Sequence, residues 1–167
     1  ESFSVSVSDG EYTDSQNITV TVNAVNDAPV LFSVGDRDVD EDTSLNFLLS
    51  AFDVEGDALT YNITSGTNVI STLAGNDLTF TPAQDFNGNE SFTLTVSDGY
   101  LEDFEIFTLT VNAVNDAPVL AAVSDVSFDE DGSDQVSLSG SDVDGDDLSY
   151  SITDGTDISA SLIGSDV

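Results

Sequence analysis

The chain has 167 residues, of which 33 are acidic and one, Arg37, is basic, giving a net charge of −32. That balance excludes ordinary nucleic-acid binding, which needs Lys and Arg against phosphate, and it disfavours an anionic membrane surface. Cys, His, Met and Trp are absent. No disulfide can staple the fold, zinc, copper and haem lose their usual ligands, and no ordinary nucleophile–base pair can be built, so the chain is not expected to be an enzyme.

The elements expected along the chain are strands. Leu45, Phe47, Leu49 and Ala51 alternate with other residues, and Leu59, Tyr61 and Ile63 continue the period of two. Leu78 and Phe80 follow, then Phe92, Leu94 and Val96, then Phe107, Leu109 and Val111. A period of two with polar residues between is the signature of half-buried antiparallel sheet. Turn dipeptides punctuate it at Gly56-Asp57, Ser65-Gly66, Gly75-Asn76, Asn87-Gly88 and Asp98-Gly99. No helical period stands out, and no apolar run approaches the length of a membrane span, so no membrane insertion is expected. The expected fold class is all-β, a β-sandwich.

The sequence repeats. Residues 22–31 read VNAVNDAPVL, and residues 111–120 read the same, 89 positions later. Laying residues 1–78 over 90–167 without a gap makes about 41 of the 78 pairs identical. A unit of 89 residues can bury a small core of its own, so the expected architecture is a string of beads with about seven strands in each. Pro29 and Pro118 fix φ and hold the preceding residue extended, which makes a short, partly stiff linker. The expected division is 1–27 as the last strands of a preceding repeat, 28–116 as a complete repeat, and 117–167 as the first part of a following one.

Ala51-Phe52-Asp53-Val54-Glu55-Gly56-Asp57 is similar to the cadherin A-x-D-x-D-x-G segment. Val22-Asn23-Ala24-Val25-Asn26-Asp27-Ala28-Pro29 is similar to the linker that ends in D-N-A-P. Glu41 stands where that family keeps a Glu near the end of its first strand, and Gln84-Asp85-Phe86-Asn87 stands where it has L-D-R-E. Asp98, in Val96-Ser97-Asp98-Gly99, matches a further acid. Together these segments resemble cadherin repeats, and most closely the cadherin-like repeats of very large bacterial surface adhesins, and the resemblance covers the whole chain. It implies tandem cadherin/Ig-like Greek-key sandwiches with Ca²⁺ at each junction. One junction would gather Glu41, Asp85, Asn87, Asn115, Asp116, Asp142 and Asp144. The other would use Asn26, Asp27, Asp53, Glu55 and Asp98. Ca²⁺ takes six to eight oxygens, which suits carboxylates mixed with amide and backbone carbonyls. Ala24 and Ala113 replace the family's first linker Asp and Asn87 replaces a Glu, so one or two ions per junction are expected rather than three. Asp142-Val143-Asp144-Gly145-Asp146 is not an EF-hand loop, because its Gly falls at position four instead of six.

The function this implies is a calcium-braced extender of a secreted or cell-surface adhesin, supporting cell adhesion or biofilm formation. Its partners would be neighbouring repeats of the same polypeptide. Two alternatives stay open: a carbohydrate-binding module on surface polysaccharide, and a filament subunit in which strands of one copy complete another. Against carbohydrate, Phe and Tyr are expected mostly on inward positions, with Tyr12, Tyr100 and Phe104 as exceptions.

Overall fold

The computed structural model describes residues 1–163; residues 164–167, the end of the expected C-terminal unit, lie outside them. The strands in chain order are β1 (Ser2–Ser8), β2 (Thr13–Thr19), β3 (Val30–Leu31), β4 (Arg37–Asp40), β5 (Leu45–Leu48) and β6 (Ala51–Phe52). They continue as β7 (Thr60–Ile63), β8 (Val69–Ala74), β9 (Asp77–Pro82), β10 (Gly88–Ser97) and β11 (Glu102–Asn112). The last two are β12 (Val119–Leu120) and β13 (Gly140–Ser141). The described residues contain no helix. The all-β expectation is met.

Residues 30–112 form the sandwich. One sheet has the order β4-β11-β10-β7 and the other β5-β9-β8, with a short β3-β6 ribbon beside them. All pairings are antiparallel except β4 on β11, which is parallel. The expected strand from Leu45 to Ala51 is two strands. It breaks at Leu49-Ser50, because β5 pairs with β9 in one sheet whereas β6 pairs with β3. Asn76 closes the break, since its side-chain amide donates to the Leu49 carbonyl (3.0 Å) and its own carbonyl accepts from Leu49 N–H (2.8 Å).

The period of two becomes a core. Phe92, Leu94 and Val96 of β10 are fully buried, as are Leu109 of β11, Val69 of β8 and Leu78 and Phe80 of β9. Phe80 joins the sheets. Its ring lies 4.6 Å from that of Phe92, 6.0 Å from Phe107 and 6.2 Å from Phe47. These are the offset and edge geometries that aromatic quadrupoles favour.

Carboxylates finish what the strands leave unpaired. Asp103 and Glu105 stand opposite Val96 and Leu94 in the β10–β11 register, on the face that packs inward. Asp103 accepts from Leu31 N–H (2.8 Å), and Glu105 accepts from Val34 N–H (2.7 Å), Gly35 N–H (3.0 Å) and Ser33 Oγ (2.8 Å). The chain can then leave β3 and cross to β4 with its donors satisfied. Burial raises the Glu105 pKa, but these bonds and the Arg37 charge outweigh it and hold the carboxyl below the usual range. Glu90 does the same for the turn before β8, accepting from Thr67, Asn68 and Val69 N–H at 3.0, 2.6 and 3.3 Å. Gly66 is required there, since a Cβ would collide with the Glu90 carboxylate and the Val69 carbonyl.

The flanking segments carry the repeat into structure. β12 pairs with β13 in the register β3 uses with β6: Val119↔Ser141 and Leu120↔Gly140 match Val30↔Phe52 and Leu31↔Ala51. The β1–β2 hairpin repeats β10–β11. Its Phe3, Val5 and Val7 are 47%, 56% and 71% exposed, where Phe92, Leu94 and Val96 are fully buried. Local pattern builds the hairpin, and only an opposing sheet buries it.

Candidate metal centre

Two acidic constellations lie at the joints, and the first is assembled by the Asn26-Asp27-Ala28-Pro29 linker. Pro29 is buried and anchors it. The Asn26 side-chain amide donates to Asp98 Oδ2 (2.8 Å) and to the Asp27 carbonyl (3.0 Å). Asp27 N–H donates to Glu55 Oε2 (3.3 Å). Asp53 Oδ1 accepts from both Glu55 N–H and Asp57 N–H, each at 3.0 Å. The turn that allows this passes through Gly56 at φ +79°, a region open to glycine at no steric cost.

The second constellation repeats that wiring 89 residues on. The Asn115 amide donates to the Asp116 carbonyl (3.0 Å), and Asp116 N–H donates to Asp144 Oδ2 (2.7 Å). Asp142 Oδ1 accepts from Asp144 N–H (3.0 Å) and Asp146 N–H (3.3 Å). Gly145, at φ +78°, takes the place of Gly56. This joint also receives the far end of the sandwich. Glu41, only 3% exposed, accepts from Val114 N–H at 2.6 Å and so grips the linker. Asp42, Asp85 and Asp116 each bring a carboxylate oxygen within 4.8 Å of the other two. Asp85 N–H donates to Asp42 Oδ1 (3.1 Å).

All five residues expected at the first joint, Asn26, Asp27, Asp53, Glu55 and Asp98, therefore fall in one hydrogen-bonded chain. At the second joint the structure brings Asp85 and Asp116 together, with Glu41, Asp142, Asp144 and Asn115 tied to the same linker. Asn87 follows two positions after Asp85; it is exposed, and among the described residues no hydrogen bond holds its side chain. Asp42 takes a place that the sequence reading did not assign. A signal was present: Asp-Glu-Asp recurs at 40–42 and 129–131. Asp42 and Asp131 both adopt positive φ, 58° and 66°, a conformation that Asp tolerates better than most residues.

The electrostatics of the two joints differ. Asp98 is held below the usual carboxylate range, first by the Asn26 amide and then by Leu101 and Tyr100 N–H. Asp116 is pushed above it, first by burial and then by the charges of Asp85, Asp42, Asp144 and Glu41. Among the described residues three buried side-chain oxygens have no hydrogen-bond partner, Asp53 Oδ2 and Asp116 Oδ2 at the joints and the Tyr150 hydroxyl away from them in sequence. A buried acid oxygen without a partner is costly. The one basic residue cannot relieve it, since Arg37 lies over the Phe47 ring, 5.0 Å from its centroid. The donors are all oxygens, carboxylate with amide and backbone carbonyl among them, and that set fits a hard divalent cation.

The sequence profile of the bacterial Ig domain family matches residues 26–112, the span of the sandwich with its leading linker. The chain belongs to the bacterial Ig domain family. This bacterial Ig chain is 31% identical over 130 residues to chitinase A of Pseudoalteromonas piscicida, an alignment covering 75% of the chain and 16% of that protein. It thus spans a small part of the curated relative it matches. Among solved structures, the bacterial Ig chain is similar to the endo-fucoidan hydrolase MfFcnA4 of glycoside hydrolase family 107. That match has 25% identity and a TM-score of 0.44, and covers 68% of this chain and 19% of that one. It is also similar to human protocadherin-24 EC1-2 (Form II), with 25% identity, a TM-score of 0.46, and coverage of 58% and 50%.

Proposed function

We propose that the chain is a non-catalytic spacer, a stretch of Ig-like units whose joints are braced by Ca²⁺, within a secreted or surface-attached protein. The observation that carries this reading is that each joint holds a buried carboxylate oxygen with no hydrogen-bond partner, Asp53 Oδ2 in the turn of the first and Asp116 Oδ2 in the linker of the second. Asp42, Asp85, Asp116, Glu41, Asp142 and Asp144 would hold a cation at one joint, and Asn26, Asp27, Asp53, Glu55 and Asp98 at the other. The ion would neutralise like charges and give the orphaned oxygens a partner. The protein's own part is positioning. Glu41 fastens the linker through Val114 N–H, Pro29 is buried at the start of its unit, and the backbone of each linker aspartate is bonded to the turn behind it.

Extracellular modules bind Ca²⁺ with dissociation constants of about 10⁻⁴–10⁻³ M. A tenfold to hundredfold excess of ion over that constant adds roughly 1.4–2.7 kcal/mol of stability per ion. Thermal unfolding in Ca²⁺, in Mg²⁺ and in chelator at matched ionic strength tests the proposal. A rise in Tm specific to Ca²⁺ supports it; identical curves in all three would sink it.

A second reading is favoured by the match to chitinase A: the spacer sits in a polysaccharide-degrading protein, and one face touches the substrate. Val30 and Phe52 pair across the β3–β6 ribbon and are exposed, as are Phe32 just past β3 and the aromatic rings of Tyr100 and Phe104. A pull-down on insoluble chitin separates this reading from a pure spacer, and loss of retention in Phe52→Ser with Phe32→Ser would locate the contact.

A further inference from the structure

We propose that Asn87-Gly88 is a site of spontaneous deamidation that adds a carboxylate to the joint of Asp42, Asp85 and Asp116. The reaction needs the backbone nitrogen of the following residue to reach the asparagine side-chain carbonyl carbon. A Cβ on that residue hinders the approach, and glycine has none. Asn87 is the one Asn in the sequence followed by Gly. It is exposed and lies in the turn between β9 and β10. The amides of Asn26, Asn46, Asn68, Asn76, Asn112 and Asn115 each donate to an acceptor, whereas among the described residues that of Asn87 does not, nor do those of Asn17, Asn23, Asn62 and Asn89, none of which precedes a glycine. The backbone around it is irregular, with Asp85 at φ 54° and Gly88 at φ 142°.

The chemistry is self-contained. The Gly88 nitrogen gives its proton to solvent and attacks Cγ of Asn87. A cyclic imide forms as the bond from Cγ to the amide nitrogen breaks, and ammonia leaves. Water then opens the imide at either carbonyl, giving aspartate or an isoaspartate link. Both products carry one new carboxylate, two positions from Asp85, which shares a cluster with Asp42 and Asp116. The added charge strengthens the attraction of that joint for a divalent cation. This consequence rests on the proposed function; the modification itself does not.

The test has two arms. The chain is held for days at mildly alkaline pH and its peptides are mapped by mass spectrometry for conversion of amide to acid. Conversion at Asn87 several-fold ahead of every other Asn is expected, with none at that position in Asn87→Gln. Conversion at Asn87 no faster than elsewhere overturns the site. Calorimetric titration with CaCl₂ then compares Asn87→Asp with the unaged chain, and several-fold tighter binding is expected. Equal affinity overturns the role in the joint. An absence of Ca²⁺ binding in both chains removes that role together with the proposed function, while the mass map still decides the modification.

Discussion

Asp116 concentrates the chemistry of the second joint. Its backbone N–H is bonded to Asp144, its side chain lies with Asp42 and Asp85, and one of its oxygens is buried without a partner. The expected behaviour of Asp116→Asn follows from that geometry. In chelator the variant melts no lower than the parent, because a repelled charge is gone. In Ca²⁺ it loses affinity by about tenfold or more, the scale of disturbing a metal site's ligand shell. Differential scanning calorimetry in the two buffers checks both halves. The pH dependence has a defined sign. The Asp116 pKa is raised in the folded state, so its ionised form is disfavoured there, and stability in chelator rises as pH falls from neutral through that raised value. The Asp98 pKa is lowered, so its contribution is present above the unfolded pKa and is lost as pH falls through the folded one. The metal-free chain is therefore expected to melt highest at mildly acidic pH. A Tm that falls steadily from neutrality would contradict the assignment. Asp42 shows where residue-level reading stops. Its type and its recurrence were visible, but its proximity to Asp116 depends on a left-handed backbone turn and on a linker more than seventy positions away.

Among the elements, β9 joins the two sheets. Phe80 is fully buried and packs against Phe47, Phe92 and Phe107. Phe80→Ala is expected to cost about 3–5 kcal/mol, the usual range for removing a buried aromatic ring. Urea unfolding with an unchanged slope checks that magnitude. Inward-facing strand positions were legible because side chains alternate strictly across a sheet. The split of the stretch 45–51 between two sheets was not. Nothing in the alternation says which neighbour a strand will choose, and here the choice is fixed by the Asn76 bonds to Leu49. The roles of Asp103, Glu105 and Glu90 were hidden for the same reason. In sequence they are three more acids among 33, and only the register shows that they satisfy backbone donors.

For the whole molecule, a net charge of −32 on 167 residues means strong self-repulsion. Exposed charges are screened within about 8 Å at physiological salt. Salt alone should therefore relieve diffuse repulsion, whereas a divalent ion bound at a joint acts beyond screening. Small-angle scattering of the chain in chelator, in added NaCl and in Ca²⁺ separates the two. A stiffer, more uniform particle is expected only with Ca²⁺. Equal profiles in NaCl and Ca²⁺ would reduce the acidic joints to solvated turns.

The sequence by itself determined the all-β class, the 89-residue repeat and the inward residues of most strands. Each of these is encoded locally, by alternation, by turn residues or by the recurrence of a motif. Only the tertiary structure decided which strands share a sheet, that acidic side chains stand in for missing strand partners at β3 and before β8, and that Asp42 meets Asp85 and Asp116. These depend on contacts between residues far apart in the chain. The same carboxylate is a solvated charge or a buried, unpartnered oxygen according to what packs against it.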